Sequence, residues 1–125
     1  MVRKVCLDSD MLLALLNKDE QAKTIISSID GQFVSTSINS FEVWYGRKAQ
    51  EPVSELFDWL DIFQFDGESA RIAADIMRSL KLKGKMIEMR DIFIASICIK
   101  NNMELLTRNK KHFSRLKEFG LRMID

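Results

Sequence analysis

The sequence has few of the residues on which cysteine and histidine chemistry depends. Its 125 residues include two cysteines, one histidine and one proline. A zinc site built from several Cys or His side chains is therefore disfavoured, as is a nucleophilic triad. Cys6 and Cys98 lie in apolar runs, which is typical of small buried hydrophobic residues in a reduced protein. His112 follows two lysines and precedes Phe113, and we expect it at the surface.

Long hydrophobic runs are also missing. No apolar stretch approaches the roughly 20 residues of a membrane span, and the chain begins without the apolar segment and cleavage site of a signal peptide. Hydrophobic residues make up 46% of the chain and charged residues 30%, a balance typical of soluble globular proteins. We therefore expect one domain, residues 1–125, in the cytoplasm and without a membrane partner.

Positive charge is scarce in the first half of the chain and concentrated in the second. Residues 1–62 contain 6 Lys or Arg against 10 Asp or Glu, whereas residues 63–125 contain 13 against 8. Basic clusters attract phosphate backbones, although such runs are also typical of solvated helix faces. The basic residues that we predict to hold a nucleic-acid backbone are Lys83, Lys85, Arg90, Arg108, Lys110 and Lys111.

Short apolar runs alternate with segments of helical periodicity. Strands are predicted at residues 4–8, 33–37, 62–65, 103–107 and 121–124, and helices at 10–17, 20–29, through 42–45, from 51, at 68–83, 87–100 and 111–119. Ser37 or Asn39 is predicted to cap the third helix. This alternation predicts a three-layer α/β/α sandwich around a parallel sheet. Ligands of such folds bind beyond the carboxyl ends of the strands, where the sequence places Asp8, Ser37, Asp66 and Thr107.

Three carboxylates stand in apolar surroundings in distant parts of the chain. Asp8 ends the first strand, Glu42 lies between Phe41 and Val43, and Asp91 precedes a nearly uninterrupted apolar run. Acidic side chains are almost never fully buried without a partner. Helix capping would explain Asp8 alone, and the helix dipole would explain Asp91 alone. Several acids that converge on one sheet edge repel one another, so a shared positive charge is required.

Magnesium or manganese would supply that charge. Both ions take oxygen ligands, keep several waters and bind through a few carboxylates together with substrate phosphates. Glu88, three residues before Asp91, shares its helix face and would add a second carboxylate. Thr107 and Asn109 follow the fourth strand and offer neutral oxygens and a donor, or else serve only in a turn and a helix cap.

The motifs that carry these residues are Leu-Asp-Ser at 7–9, Ser-Ile-Asn-Ser-Phe-Glu-Val at 37–43, Arg-Asp-Ile-Phe-Ile-Ala-Ser at 90–96 and Leu-Leu-Thr-Arg-Asn-Lys-Lys-His-Phe at 105–113. In this order they resemble PIN domains, most closely the VapC-type toxins of prokaryotic toxin–antitoxin pairs. The resemblance implies an endoribonuclease that depends on Mg²⁺ or Mn²⁺, forms homodimers and is neutralised by a small antitoxin protein.

The resemblance also assigns roles. It implies that Asp8, Glu42 and Asp91 bind the metal. Asn109 falls in a segment that often supplies a further acid, and Glu88 is the candidate to compensate. The candidate catalytic residues are therefore Asp8, Glu42, Asp91, Glu88, Asn109 and Thr107, with RNA as the substrate.

Three alternatives remain open at this stage. Asp8 and Asp10 resemble the Asp-X-Asp of haloacid-dehalogenase-type phosphatases, but the later lysine and acidic pair of that family are not found. A phospho-receiver domain would use Asp8, Asp10 and Asp66 but requires a lysine near Thr107. A PIN fold that acts as an RNA-binding or protein-interaction scaffold, with weak or no catalysis, is the third.

Overall fold

The computed structural model describes residues 2–125, and within them the chain forms five strands and seven α-helices. The strands are β1 Lys4–Leu7, β2 Gln32–Thr36, β3 Asp61–Phe63, β4 Glu104–Leu106 and β5 Arg122–Met123. The helices are α1 Ser9–Leu16, α2 Glu20–Ser27, α3 Ser37–Gly46, α4 Gln50–Trp59, α5 Gly67–Leu82, α6 Met89–Lys100 and α7 Lys110–Ser114, with a 3-10 turn at Lys117–Phe119. Across residues 2–125, no helix combines the length and apolarity that crossing a bilayer requires.

The strands form one parallel sheet in the order β3-β2-β1-β4-β5. Successive strand residues point to opposite faces, and β1 follows this rule: Val5 and Leu7 enter one core and Cys6 enters the other. Helices α1–α4 cover the first core, and α5–α7 cover the second. The three-layer sandwich predicted from the sequence is therefore confirmed.

The centre of the sheet is its topological switch point. From β1 the chain order runs outwards through β2 and β3 on one side and through β4 and β5 on the other. The helices that leave β1 and β4 therefore diverge, and a crevice opens at the carboxyl ends of these two strands. Asp8 follows β1 and Thr107 follows β4, so the fold itself brings these two residues together.

The predicted cap of α3 was wrong. Thr36 is still extended, with φ −118° and ψ 160°, and its hydroxyl accepts a hydrogen bond from the Asn39 backbone N–H at 3.2 Å. Ser37 lies inside the first turn, where its Oγ accepts from the Phe65 N–H at 3.3 Å. The helix begins one residue after the last strand residue, because Thr36 can both complete β2 and satisfy a free helical N–H.

The single helix predicted at residues 111–119 is divided. The helix α7 ends at Ser114, and the chain continues through i to i+3 hydrogen bonds, with Leu116 N bonded to Phe113 O at 2.9 Å and Phe119 N to Leu116 O at 3.1 Å. Apolar side chains spaced by three suit the 3-10 repeat better than the α-helical one. Gly120 then takes φ +106° and turns the chain into β5, as predicted.

Asp66 serves a helix terminus and an ion pair. Its Oδ1 caps α5 by accepting from the Ser69 N–H at 2.9 Å, and its Oδ2 accepts from the Lys100 ammonium of α6 at 2.6 Å. The hydrogen bond from Lys100, followed by those from Ser69, lowers the pKa of Asp66 well below its usual range. The predicted place of Asp66 in the crevice with Asp8 is therefore wrong, since its carboxylate is used to join α5 to α6.

Replacing Asp66 with asparagine is expected to lower the free energy of unfolding at pH 7. The difference in this free energy between the variant and the unmodified protein is expected to become smaller as the pH falls. Asparagine still caps a helix, so the change removes the ion pair alone. A carboxylate whose folded pKa is lowered adds stability above its unfolded pKa of about 4 and loses it as the pH falls towards the folded pKa.

Urea unfolding of Asp66→Asn and the unmodified protein at pH 7, 4 and 3 measures this deficit. The variant Asp75→Asn is the control, because it removes an exposed acid of α5 that pairs with Arg78 within the same helix. A deficit of the same size at pH 3 as at pH 7 would show that the ion pair is not its cause.

Candidate active site

Asp8 joins the two strands at the switch point. It is 2% exposed, and its backbone N–H donates to the carbonyl of Leu106 in β4 at 3.0 Å. Its Oδ1 accepts from the Ser9 N–H at 2.8 Å, so the capping role considered for Asp8 is real. The cap uses only part of the carboxylate, and the remaining hydrogen bonds come from outside α1.

Asn39 and Thr107 fix the orientation of the Asp8 carboxylate. Asn39 Nδ2 donates to Asp8 Oδ1 and to Ser9 Oγ, both at 2.9 Å, and Asn39 Oδ1 accepts from the Thr36 hydroxyl at 2.7 Å. The Thr107 hydroxyl donates to Asp8 Oδ2 at 2.7 Å. Asn39 is fully buried with its amide satisfied on both sides, so Asp8 is held from α3 and from the end of β4 in a single rotamer.

The guanidinium of Arg90 lies between the three acids that were predicted to bind metal. Its Nη1 donates to Asp91 Oδ1 at 2.6 Å, and its Nη2 donates to Asp8 Oδ1 at 3.0 Å and to Glu42 Oε1 at 2.8 Å. Its Nε donates to the second oxygen of Glu42. The acid that follows β1 and the acids of α3 and α6 are therefore each within hydrogen-bond distance of one guanidinium, a cation of the chain itself.

The ionisation of these groups reflects burial and this guanidinium. Burial opposes ionisation of Glu42, but hydrogen bonds from Arg90 and Ser9 outweigh it and lower the pKa of Glu42. For Asp91 the balance is reversed, because burial, together with the charges of Asp8 and Glu88, outweighs Arg90 and raises the pKa of Asp91. The hydrogen bond to Glu42 and the charges of Asp8 and Glu42 raise the pKa of Arg90 further above its ordinary value, so Arg90 stays protonated.

A cleft of about 370 Å³ opens beside this cluster. The side chains that line it are Asp8, Asp10, Glu88, Arg90, Asp91, Asn109 and His112. Of the predicted catalytic residues, Asp8, Asp91, Glu88 and Asn109 thus share one cleft. Glu42 does not line the cleft but accepts hydrogen bonds from the cleft residue Arg90. Thr107 is 2% exposed and donates to Asp8 from the interior of the protein.

A PIN domain family model matches residues 5–118, which is most of the chain. The chain belongs to the PIN domain family. Ribonuclease VapC1 of Methanocaldococcus jannaschii is 35% identical to this PIN domain over 125 residues, which cover 98% of this chain and 88% of that protein. Ribonuclease VapC3 of the same organism is 31% identical over 93 residues, or 73% of this chain and 94% of that protein.

Solved structures share the fold of this PIN domain. One chain of the DNA-bound VapBC complex of Salmonella typhimurium superposes with a TM-score of 0.82 at 23% identity, covering 100% of this chain and 98% of that chain. One chain of VapBC2 from Rickettsia felis, bound to a DNA fragment from its promoter, gives 0.80 at 24% identity and covers 98% and 99%. At these identities the similarity shows the fold alone.

Two residues of this PIN domain's cleft were not among the predicted catalytic residues, and Asp10 was considered only for the phosphatase and phospho-receiver alternatives. Asp10 Oδ2 accepts from the Arg108 backbone N–H at 3.0 Å, while its buried Oδ1 has no hydrogen-bond partner within residues 2–125. Burial and the charge of Asp8 raise the pKa of Asp10. The two-residue spacing from Asp8 was the available signal. His112 is exposed as predicted, but it lies on the cleft wall, one helical turn after Asn109.

Three of the six predicted nucleic-acid-binding residues pair with acids of the chain. Arg90 is held by the acids, Arg108 donates to Asp19 at 3.1 Å, and Lys83 forms an ion pair with Glu118. The residues that present exposed ammonium groups are Lys85, Lys110 and Lys111. The latter two begin α7, directly after the cleft residue Asn109.

The oxygen atoms that line the cleft suit a divalent cation of the Mg²⁺ or Mn²⁺ type. Most are carboxylate oxygens, which these hard ions prefer as ligands. The buried Asp10 Oδ1 accepts no hydrogen bond from any group within residues 2–125. In the part of the chain that the structure describes, no three Asp, Glu, His or Cys side chains already surround one ion position. The guanidinium of Arg90 contacts the oxygens that such an ion would take.

Proposed function

We propose that this PIN domain is an endoribonuclease that hydrolyses RNA phosphodiester bonds and depends on Mg²⁺ or Mn²⁺. The observation that carries the proposal is the convergence of Asp8, Glu42 and Asp91, from three separate elements, beside a cleft at the switch point of the sheet. Two relatives above 30% identity are ribonucleases by name, which supports the same activity.

The proposed roles follow from the geometry. Asp8, Glu42 and Asp91 would hold the cation, which when bound activates a water and neutralises charge on the phosphate. Asn39 and Thr107 keep Asp8 oriented. These supporting hydrogen bonds are already made, so the carboxylate does not have to reorganise during the reaction.

The rim of the cleft provides the contacts to substrate. Glu88 and Asn109 are exposed there, and the Asn109 amide can donate to a phosphate oxygen. Lys110 and Lys111 stand next in the chain and would hold the flanking backbone through charge. We propose single-stranded or looped RNA as the substrate, because helical RNA hides its base edges in a deep, narrow groove.

We further propose that the whole chain, residues 1–125, acts as one domain in the cytoplasm, as a homodimer that a small antitoxin protein neutralises. The VapBC complexes among the structures of the same fold support an antitoxin partner.

Phe41 and Tyr45 of α3 are 65% and 83% exposed and stack at 5.8 Å between ring centroids. Exposed paired aromatic rings are typical of protein contacts, which supports an interface on this helix.

Cleavage of a mixed-sequence single-stranded RNA tests the proposed activity. We expect cutting by the purified protein with Mg²⁺ or Mn²⁺, none in EDTA, and recovery when the metal is added back. Asp91→Asn, confirmed to be folded by circular dichroism, is expected to bind RNA without cutting it. A folded protein that binds Mn²⁺ but cuts no member of the RNA pool would contradict the enzyme and favour the scaffold alternative.

A further inference from the structure

Arg90 is placed where a cation would be expected. Its three nitrogens donate to both oxygens of Glu42 and to one oxygen each of Asp8 and Asp91. Its side chain is 29% exposed, while those of Asp8 and Asp91 are almost fully buried. The guanidinium therefore closes the acid cluster from the cleft side.

We propose that Arg90 is a built-in competitor for the divalent cation, so that the cluster accepts the metal only when this guanidinium leaves. The inference rests on the cation-binding part of the proposed function and adds a gate to it. A Mg²⁺ ion needs carboxylate oxygens at about 2.0–2.1 Å. Arg90 already engages both oxygens of Glu42 and one oxygen each of Asp8 and Asp91, so a bound ion would compete with these hydrogen bonds for the same carboxylates.

The competition depends on the shape of the guanidinium as well as on its charge. A planar fork of donors bridges several carboxylates at once, which a lysine ammonium on a flexible stem does not reproduce. One guanidinium does not balance three carboxylates, so the cluster still favours an added divalent charge. Arg90 thus lowers the affinity for the cation without abolishing it.

The size of the effect follows from the fraction of molecules in which Arg90 is engaged. The apparent dissociation constant equals the intrinsic value divided by the competent fraction, so an Arg90 engaged in about 90% of molecules weakens cation binding about tenfold. Loading of the site would then require a correspondingly higher cation concentration than the acids alone would need.

Calorimetric titration with Mn²⁺ tests the inference without any RNA. We expect Arg90→Gln to bind Mn²⁺ at least about tenfold more tightly than the unmodified protein. Arg90→Lys, which keeps the charge and loses the fork, is expected to lie close to Arg90→Gln. Arg108→Gln removes a positive charge from a side chain that pairs with Asp19 and not with the acid cluster. The Mn²⁺ affinity of this variant is expected to equal that of the unmodified protein.

The outcomes separate the gate from the proposed function. Equal affinity of Arg90→Gln and the unmodified protein overturns the gate, and so does Arg90→Lys with unmodified affinity, because charge alone would then explain the effect. Tighter binding by Arg108→Gln to the same extent overturns it as well. If no protein binds Mn²⁺, including the unmodified one, the proposed cation site itself is contradicted.

A measurement on the unmodified protein does not depend on the folding of variants. The Nε–H signal of Arg90, assigned by its loss in Arg90→Lys or by sequential assignment, is expected to shift and to exchange faster with water when Mg²⁺ saturates the protein. The hydrogen bond from Nε to Glu42 would be broken in that state. An unchanged Arg90 signal at saturating Mg²⁺ shows that the guanidinium stays in place and overturns the inference.

Discussion

Replacement of Asp8 by asparagine is expected to lower the rate of RNA cleavage by about 10²–10³-fold and to leave the fold intact. Asparagine has the same shape, and its oxygen can still accept from Ser9, while Thr107 can turn its hydroxyl to accept from the new amide. The change therefore removes a charge from the cluster without opening a cavity. The loss of rate follows because a neutral amide oxygen holds a divalent cation much more weakly than a carboxylate.

The rate is measured as single-turnover cleavage of one RNA at saturating Mg²⁺, and the fold is measured by urea unfolding. Asp75→Asn removes the same charge from an exposed site on α5 and should cut at the unmodified rate. If Asp8→Asn cuts as fast as Asp75→Asn, Asp8 does not act in the reaction. If it unfolds at a much lower urea concentration, its role is structural and the lost rate does not identify a site.

The part of the site that depends on strand ends could be predicted from the sequence. An acid directly after a buried strand lies at the carboxyl edge of a parallel sheet, and this rule placed Asp8 and Thr107 correctly beside each other. It failed for Asp66, although Asp66 also follows a strand. The strand β3 lies at the outer edge of the sheet, away from the switch point, and its following acid pairs with Lys100.

The role of Arg90 could not be predicted from the sequence. It follows a basic run and looked like one more surface cation for a nucleic-acid backbone. The structure turns it inwards because α6 packs against α3 and brings Glu42 within reach, although the two residues are 48 positions apart. Such a contact depends on helix packing, and no local pattern encodes it. Asp10 was left out of the predicted catalytic residues for a similar reason, since its contact with the Arg108 backbone N–H joins residues 98 positions apart.

Replacement of Phe113 by alanine is expected to destabilise the protein by about 3–5 kcal/mol. Phe113 is fully buried and is the largest of the completely buried side chains, in the core that α5 and α6 share with the sheet. The large loss arises because alanine gives up the buried apolar area of the ring and leaves a cavity in the core. Domains of this size are stable by about 5–15 kcal/mol in total, so roughly a fifth or more of the stability is at stake.

Urea unfolding followed by circular dichroism measures the loss, with His112→Ala as the neighbouring control. His112 is exposed, and its truncation is expected to change stability by no more than about 0.5 kcal/mol. Phe113→Leu refills most of the space and should cost less than alanine does. Phe113 lies in the helix that follows Thr107 and Asn109, and its backbone N–H donates to the Asn109 carbonyl at 3.4 Å. A loss below about 1 kcal/mol in Phe113→Ala would mean that the ring does not contribute to the core as its complete burial indicates.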